Sequence, residues 1–206
     1  MQLSEEKIER AVHILKNGGV IGYPTETVYG LGGDAMNTAV IKRILHLKDR
    51  EKPSPLLVLV PDIDFVKSLV TFIPDQAKLL IKTFWPGPLT LIFEASDQVP
   101  YLLVGGTDKI GIRVSSDPVC QQLLTVYQHP LISTSANKTG LPPALNADMV
   151  HSCFPNVLDL VLDDGERSMS LPSTILDVTT EPVRLVRAGG ISKRAIVSVV
   201  GAIDVP

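Results

Sequence analysis

Tyr23-Pro24-Thr25-Glu26-Thr27-Val28-Tyr29-Gly30-Leu31-Gly32-Gly33 follows an apolar run, Gly19 to Tyr23. Proline locks φ and removes a backbone donor, so a strand is expected to stop at Pro24 and a loop to begin there. The loop carries hydroxyls on Thr25, Thr27 and Tyr29. Gly30, Gly32 and Gly33 can take backbone angles that other residues avoid and let a ligand approach the main chain closely. A small polar or phosphorylated ligand suits that combination; a hairpin or crossover turn with incidental threonines fits the same residues.

On the N-terminal side, Ser4 can cap a helix with Glu5 and Glu6 in its first turn and Ile8, Ala11, Val12 and Leu15 on one face, ended by Gly18-Gly19. On the C-terminal side, Asn37 or Thr38 starts a second helix that runs out near Lys48. Pro53 and Pro55 then bracket a connector. Leu56 to Val60 is a fully apolar run, typical of a strand covered on both faces. Helical patterns follow at Asp64 to Val70 and Asp75 to Phe84, closed by the rigid turn Trp85-Pro86-Gly87-Pro88. Strands are expected at Leu89 to Phe93, Ile110 to Val114 and Pro130 to Ser133, with a helix from Asp117-Pro118 through Tyr127. A loop, Ser133 to Asn137, a weak helix over Ala147 to Cys153, strands near Leu158 to Leu162, Ser173 to Val178 and Val183 to Val186, and a helix from Ser192 to Val200 complete the chain. This alternation describes one α/β domain over residues 1–206, with a twisted mixed sheet and flanking helices.

A chain of 206 residues fits one sizeable domain, and 45% hydrophobic with 20% charged residues is ordinary for a soluble globular protein. No apolar stretch reaches the roughly 18 residues of a membrane span. The segment Met1 to Leu15 lacks the basic flank and cleavage site of a signal peptide, so a cytoplasmic location and no membrane partner are expected. Cys120 and Cys153 have no metal or redox spacing and read as buried small hydrophobes. His13, His46, His129 and His151 are scattered, as surface or cap residues are.

A net charge of −3 gives no general reason to expect nucleic-acid binding, although Lys42, Arg43, Lys48, Arg50 and Lys52 cluster locally. Lys48 and Arg50 can face one ligand only if the chain is leaving its helix between them. Such a pair can hold phosphates; it also fits a basic helix C-terminus meeting its own dipole. Ser133 to Asn137 can contact phosphate or ribose, or satisfy its own backbone. Arg113 lies in an apolar run and needs an anion, either a ligand carboxylate or an internal Asp or Glu; Arg187 invites the same argument. No Walker loop, dinucleotide fingerprint, nucleophile elbow or Ser-His-Asp set occurs in the sequence. The residues alone describe an anion-binding α/β domain.

Taken in order, Pro24-Thr25-Glu26-Thr27-Val28-Tyr29-Gly30-Leu31-Gly32, Lys48-x-Arg50, Trp85-Pro86-Gly87-Pro88-Leu89-Thr90, Gly111-Ile112-Arg113-Val114, Ser133-Thr134-Ser135-Ala136-Asn137 and Pro172-Ser173-Thr174-Ile175 resemble the signature of the YrdC-like threonylcarbamoyl-AMP synthases, over about residues 6 to 190. The resemblance is to the short, single-domain form. It implies an open α/β sheet around a large, concave, basic cavity. It also implies a nucleotidyltransferase activity that makes L-threonylcarbamoyladenylate and pyrophosphate from L-threonine, bicarbonate and ATP, with Mg²⁺ on the phosphates. The product would serve threonylcarbamoyladenosine modification at position 37 of ANN-decoding tRNAs, completed by downstream transfer proteins.

By the same resemblance, Lys48, Arg50, Ser135 and Asn137 form the catalytic set. Arg50, Ser54, Ser133, Ser135 and Arg187 contact the nucleotide. Thr25, Thr27, Tyr29, Arg113 and Ser173 form the threonine pocket, with Arg113 on the carboxylate, and no protein metal ligand is assigned. Ser54, Leu59, Lys109 and Ala188 depart from the residues common in relatives. A lid from the connector after Arg50 is a further expectation. The alternative reading is a double-stranded RNA or tRNA-binding module of the same fold without synthase activity.

Overall fold

A computed structural model describes residues 3–50, 54–168 and 171–205. Its elements, in order, are α1 (Glu5–Lys16), β1 (Ile21–Pro24), β2 (Tyr29–Gly32), α2 (Thr38–Leu47), β3 (Leu57–Leu59), α3 (Ile63–Leu69), α4 (Asp75–Phe84), β4 (Leu89–Glu94), β5 (Lys109–Arg113), α5 (Pro118–Tyr127), β6 (Leu131–Ser135), α6 (Ala147–Cys153), β7 (Leu160–Val161), β8 (Thr174–Asp177), β9 (Val183–Arg187), α7 (Lys193–Val200) and β10 (Ile203–Asp204). The strands form one mixed sheet in the order β10-β9-β8-β4-β5-β3-β6-β2-β1-β7.

The helices begin where the sequence supplies acceptors for orphan amides. The Asn37 side chain accepts from Ala39 N and Val40 N, Asp117 from Val119 N and Cys120 N ahead of Pro118, and Ser192 from Ala195 N. Ser4 occupies the cap of α1, but its side chain makes no capping bond; its carbonyl accepts from Lys7 N and Ile8 N instead.

β1 ends at Pro24 as expected, but the glycine-rich stretch is not all loop. Tyr29 to Gly32 returns as β2, antiparallel to β1 with Pro24 opposite Tyr29, which leaves Thr25 to Val28 as the turn. Gly32 and Gly33 are glycine for packing rather than for unusual backbone angles, and neither has positive φ. A Cβ on Gly32 would lie 2.7 Å from the Tyr23 ring, and one on Gly33 2.4 Å from Val40. The strand expected to end at Ser133 continues through Ser135, paired with β2 and β3.

Side chains alternate across the sheet, and that alternation builds the site. Ile110 and Ile112 of β5, Leu91 and Phe93 of β4, Val58 of β3 and Leu176 of β8 belong to the main core, with α2, α3, α4 and α7 packed on it. Their neighbours Gly111 and Arg113, Ile92, Leu57, and Ile175 and Asp177 line a cavity on the opposite face. The run Leu56 to Val60, expected to be covered on both faces, therefore has one side open to that cavity at Leu57. A second cluster joins α1 and α5 to Ile21, Tyr23 and Leu131, and a third packs α6 against Tyr29 and Leu31.

Candidate functional site

The cavity has a volume of about 700 Å³. Among its described lining residues, Arg50, Lys109, Arg113 and Arg187 are cationic, and Asp177 is the carboxylate. Thr25, Thr27, Tyr29, Ser133, Ser135 and Ser173 add hydroxyls, so polar and charged side chains from distant parts of the chain converge on one space.

The threonine turn is pre-formed. Thr25 Oγ1 lies 2.7 Å from Val28 O, to which it donates, and 2.9 Å from Thr27 Oγ1, and it accepts from Thr27 N and Val28 N. These bonds hold both hydroxyls on the cavity wall; they satisfy the turn and present it together. The Tyr29 hydroxyl donates to Gly165 O at 2.8 Å and accepts from Asp164 N. Burial raises its pKa, so it remains a phenol.

Arg113 is 6% exposed, and its cost of burial is met internally. Its Nη1 lies 3.3 Å from Glu26 Oε1, and the other carboxylate oxygen of Glu26 accepts from Ser115 Oγ. Arg187 donates through Nε and Nη2 to Ser173 O, at 3.1 and 2.8 Å, and through Nη2 to Ser173 Oγ. Its pKa is lowered, first by burial and then by the charge of Arg113, so the two guanidiniums sense one another. Ser173 Oγ is also 3.0 Å from Thr90 Oγ1, inside the sheet.

Lys48 and Arg50 part company at the end of α2. Asp49 has a φ of 53°, Arg50 N donates to Leu45 O, and Asp49 N donates to His46 O. This is the paired-bond helix terminus that normally uses glycine at the left-handed position. The turn sends Arg50 to the cavity and Lys48 to the interior, where it is 1% exposed. Lys48 Nζ donates to Ser135 O, to Asn137 O at 2.9 Å and to Asn137 Oδ1 at 3.2 Å. Burial, and secondarily Arg50, lowers its pKa to about 8.

Ser135 Oγ also donates to Asn137 Oδ1, and Asn137 Nδ2 donates to Leu141 O. Lys48 and Asn137 thus stand behind the wall, fixing Ser135, which lines it. Arg50 Nη1 donates to Ser54 Oγ at 2.9 Å, which places Ser54 as the holder of that arginine. Its own pKa is lowered by burial.

Of the basic cluster noted in the sequence, Lys48 is internal, Arg50 faces the cavity, Lys42 is exposed, and Arg43 donates to Asp159 and Val157 O. Lys52, Pro53 and the start of the connector expected to form a lid, residues 51–53, lie outside the described residues.

Several functional contacts were not anticipated. Glu26 lay in plain view between two threonines, and the only hint to its use was the need of Arg113 for an anion. Lys109, noted only as a departure, donates to Asp177 at 3.0 Å and Thr179 at 2.7 Å on the cavity wall. Arg167 ties Asp117 to Asp164 behind Tyr29, at 3.2 and 2.9 Å. Among the described residues no group of three or more His, Cys, Asp and Glu is placed to hold a metal ion. No helix of the described residues is long and apolar enough to cross a membrane.

The chain is 34% identical over 204 residues to the threonylcarbamoyl-AMP synthase of Pyrococcus abyssi, covering 99% of this chain but 60% of that protein. It is 35% identical over 180 residues to the threonylcarbamoyl-AMP synthase of Klebsiella pneumoniae, covering 86% of this chain and 94% of that one. The structure of P. abyssi Sua5 complexed with L-threonine superposes with a TM-score of 0.96 at 33% identity, over all of this chain and 61% of that one. The chain thus spans about 60% of the length of its P. abyssi relative. The family described as Telomere recombination, Sua5/YciO/YrdC, matches residues 13–189, and the chain belongs to it.

Proposed function

We propose that the chain is an L-threonylcarbamoyladenylate synthase, a nucleotidyltransferase that makes the adenylate and pyrophosphate from L-threonine, bicarbonate and ATP. One observation carries the reading: Arg113, held by Glu26, and Arg50, held by Ser54, open into the same cavity. The relatives' names and the threonine complex of P. abyssi Sua5 support it.

The amino-acid end is Thr25, Thr27, Tyr29, Arg113 and Ser173. Arg113 offers its guanidinium to the threonine carboxylate, and the rigid threonine turn packs against the side chain. The amine, once deprotonated, adds to carbon dioxide derived from bicarbonate and becomes a carbamate. A carbamate oxygen then attacks the α-phosphorus of ATP, and the bond to pyrophosphate breaks. Two anions must approach each other, so cations fixed beforehand stabilise the charge that builds on the phosphoryl group. Arg50, Ser133, Ser135 and Arg187 face that end. Lys48 and Asn137 keep Ser135 in place.

Mg²⁺ fits as an ion carried on the triphosphate, which needs few protein ligands. When bound, it neutralises phosphate charge. Downstream, the mixed anhydride is passed to proteins that modify tRNA at position 37. Against the RNA-binding alternative, two of the clustered cations, Lys48 and Arg50, are turned to the interior and to the cavity rather than to an outer basic surface.

The test is product formation. Protein incubated with ATP, Mg²⁺, bicarbonate and isotopically labelled L-threonine is expected to yield an adenylate with the mass of threonylcarbamoyl-AMP. Its absence with folded protein, together with salt-sensitive RNA retention, would favour the alternative.

A further inference from the structure

We infer that Thr139 is a positioning residue for the nucleotide end of the cavity, acting through the backbone of Lys48. This rests on the synthase reading above, but only on its nucleotide half.

The last carbonyls of a helix have no partner within it. At the end of α2, the carbonyl of Lys48 is satisfied from across the cavity wall. Thr139 Oγ1 donates to Lys48 O at 2.7 Å and Thr139 N donates to it at 3.3 Å. In the opposite direction, Lys48 Nζ donates to Asn137 O. The two segments therefore hold each other by reciprocal bonds, and an exposed pair, Lys138 with Asp49 at 3.2 Å, lies over them.

What the clamp fixes is the turn. Asp49 adopts a left-handed φ of 53° without being glycine, and such a conformation persists where its surroundings over-determine it. That turn decides that Arg50 enters the cavity while Lys48 goes behind it. Thr139 is not among the described residues that line the cavity. Its effect on a reaction is through the aim of Arg50 and the placement of Ser135.

Thr139→Val keeps the shape and the backbone bond but removes the hydroxyl; Thr139→Ser keeps the hydroxyl. Pyrophosphate release is measured with ATP varied at saturating L-threonine and with L-threonine varied at saturating ATP. ATP-Mg²⁺ binding alone is measured by calorimetry, and folding by circular dichroism. Thr139→Val is expected to lower kcat/KM for ATP about tenfold, the loss of one well-placed bond. Its KM for threonine should stay within about twofold. Thr139→Ser should recover most of the loss.

A folded Thr139→Val with wild-type ATP parameters overturns the inference. So does an equal rise in both KM values, or a Thr139→Ser as impaired as the valine variant. If wild-type protein binds ATP without turnover, the reaction reading fails, while the ATP affinities of the two variants still decide the clamp. If wild-type protein binds no ATP, both fall.

Discussion

Arg113 on β5 and Glu26 in the threonine turn meet at 3.3 Å, with side chains 7% and 15% exposed, and this pair joins the hairpin to the middle of the sheet. The arginine that is proposed to take a substrate carboxylate already has a carboxylate of its own on one side. Burying a guanidinium alone would be costly, and Glu26 offsets part of that cost.

Glu26→Gln retains an acceptor for Ser115 but strips the charge from the pair. Breaking one partner of a buried pair leaves the other uncompensated, so a loss of about 3 kcal/mol is expected in urea unfolding. L-threonine should bind more weakly, because the guanidinium loses its anchor, and ATP much less so. Unchanged stability would show that the pair does not hold Arg113.

The pH behaviour of Lys48 gives a second expectation. Its pKa is lowered from 10.5 to about 8, so charging it costs the folded state. The penalty is fully present below about pH 8, shrinks as pH rises, and is gone above 10.5. Relative to Lys48→Met, the wild-type protein should therefore gain stability across that interval. A difference that stays flat with pH would contradict the lowered pKa. The rate should fall above about pH 8, as the ammonium that holds Ser135 and Asn137 loses its proton.

Gly189 is a packing glycine with direct bearing on the site. A Cβ there would lie 2.2 Å from Pro172 O and 2.5 Å from Ser173 C, backbone atoms that have nowhere to go. Gly189→Ala should cost about 3 kcal/mol or more, a fall of roughly 6–12 °C in Tm for a chain of this size. At Gly111, by contrast, the clash would be with a flexible tip, Leu57 Cδ2, so Gly111→Ala should fold but crowd the cavity. Equal Tm values for the two variants would refute this distinction.

Much of the fold could be read from local signals. Asn37, Asp117-Pro118 and Ser192 announce helix starts, and Pro24 ends β1 where a missing donor requires it. β2 was hidden because glycines among hydroxyls look like loop. Only the partner strand and the Tyr23 ring show that Gly32 is a space requirement. Arg113, Arg187, Lys48 and Arg50 were legible as cations needing anions, whereas their routes were not. Whether Lys48 faces ligand or interior depends on one left-handed residue, Asp49. The partners Glu26 and Ser173 lie 87 and 14 positions from their arginines, distances that only the folded sheet closes. Thr139 carried no signal by itself.

The most direct measurement is pyrophosphate release from ATP by purified protein with Mg²⁺, with and without L-threonine and with and without bicarbonate. Release is expected only when both are present, abolished in Arg50→Ala and restored by excess L-threonine in Arg113→Ala. Release independent of threonine or bicarbonate, or none from folded wild-type protein, would contradict it.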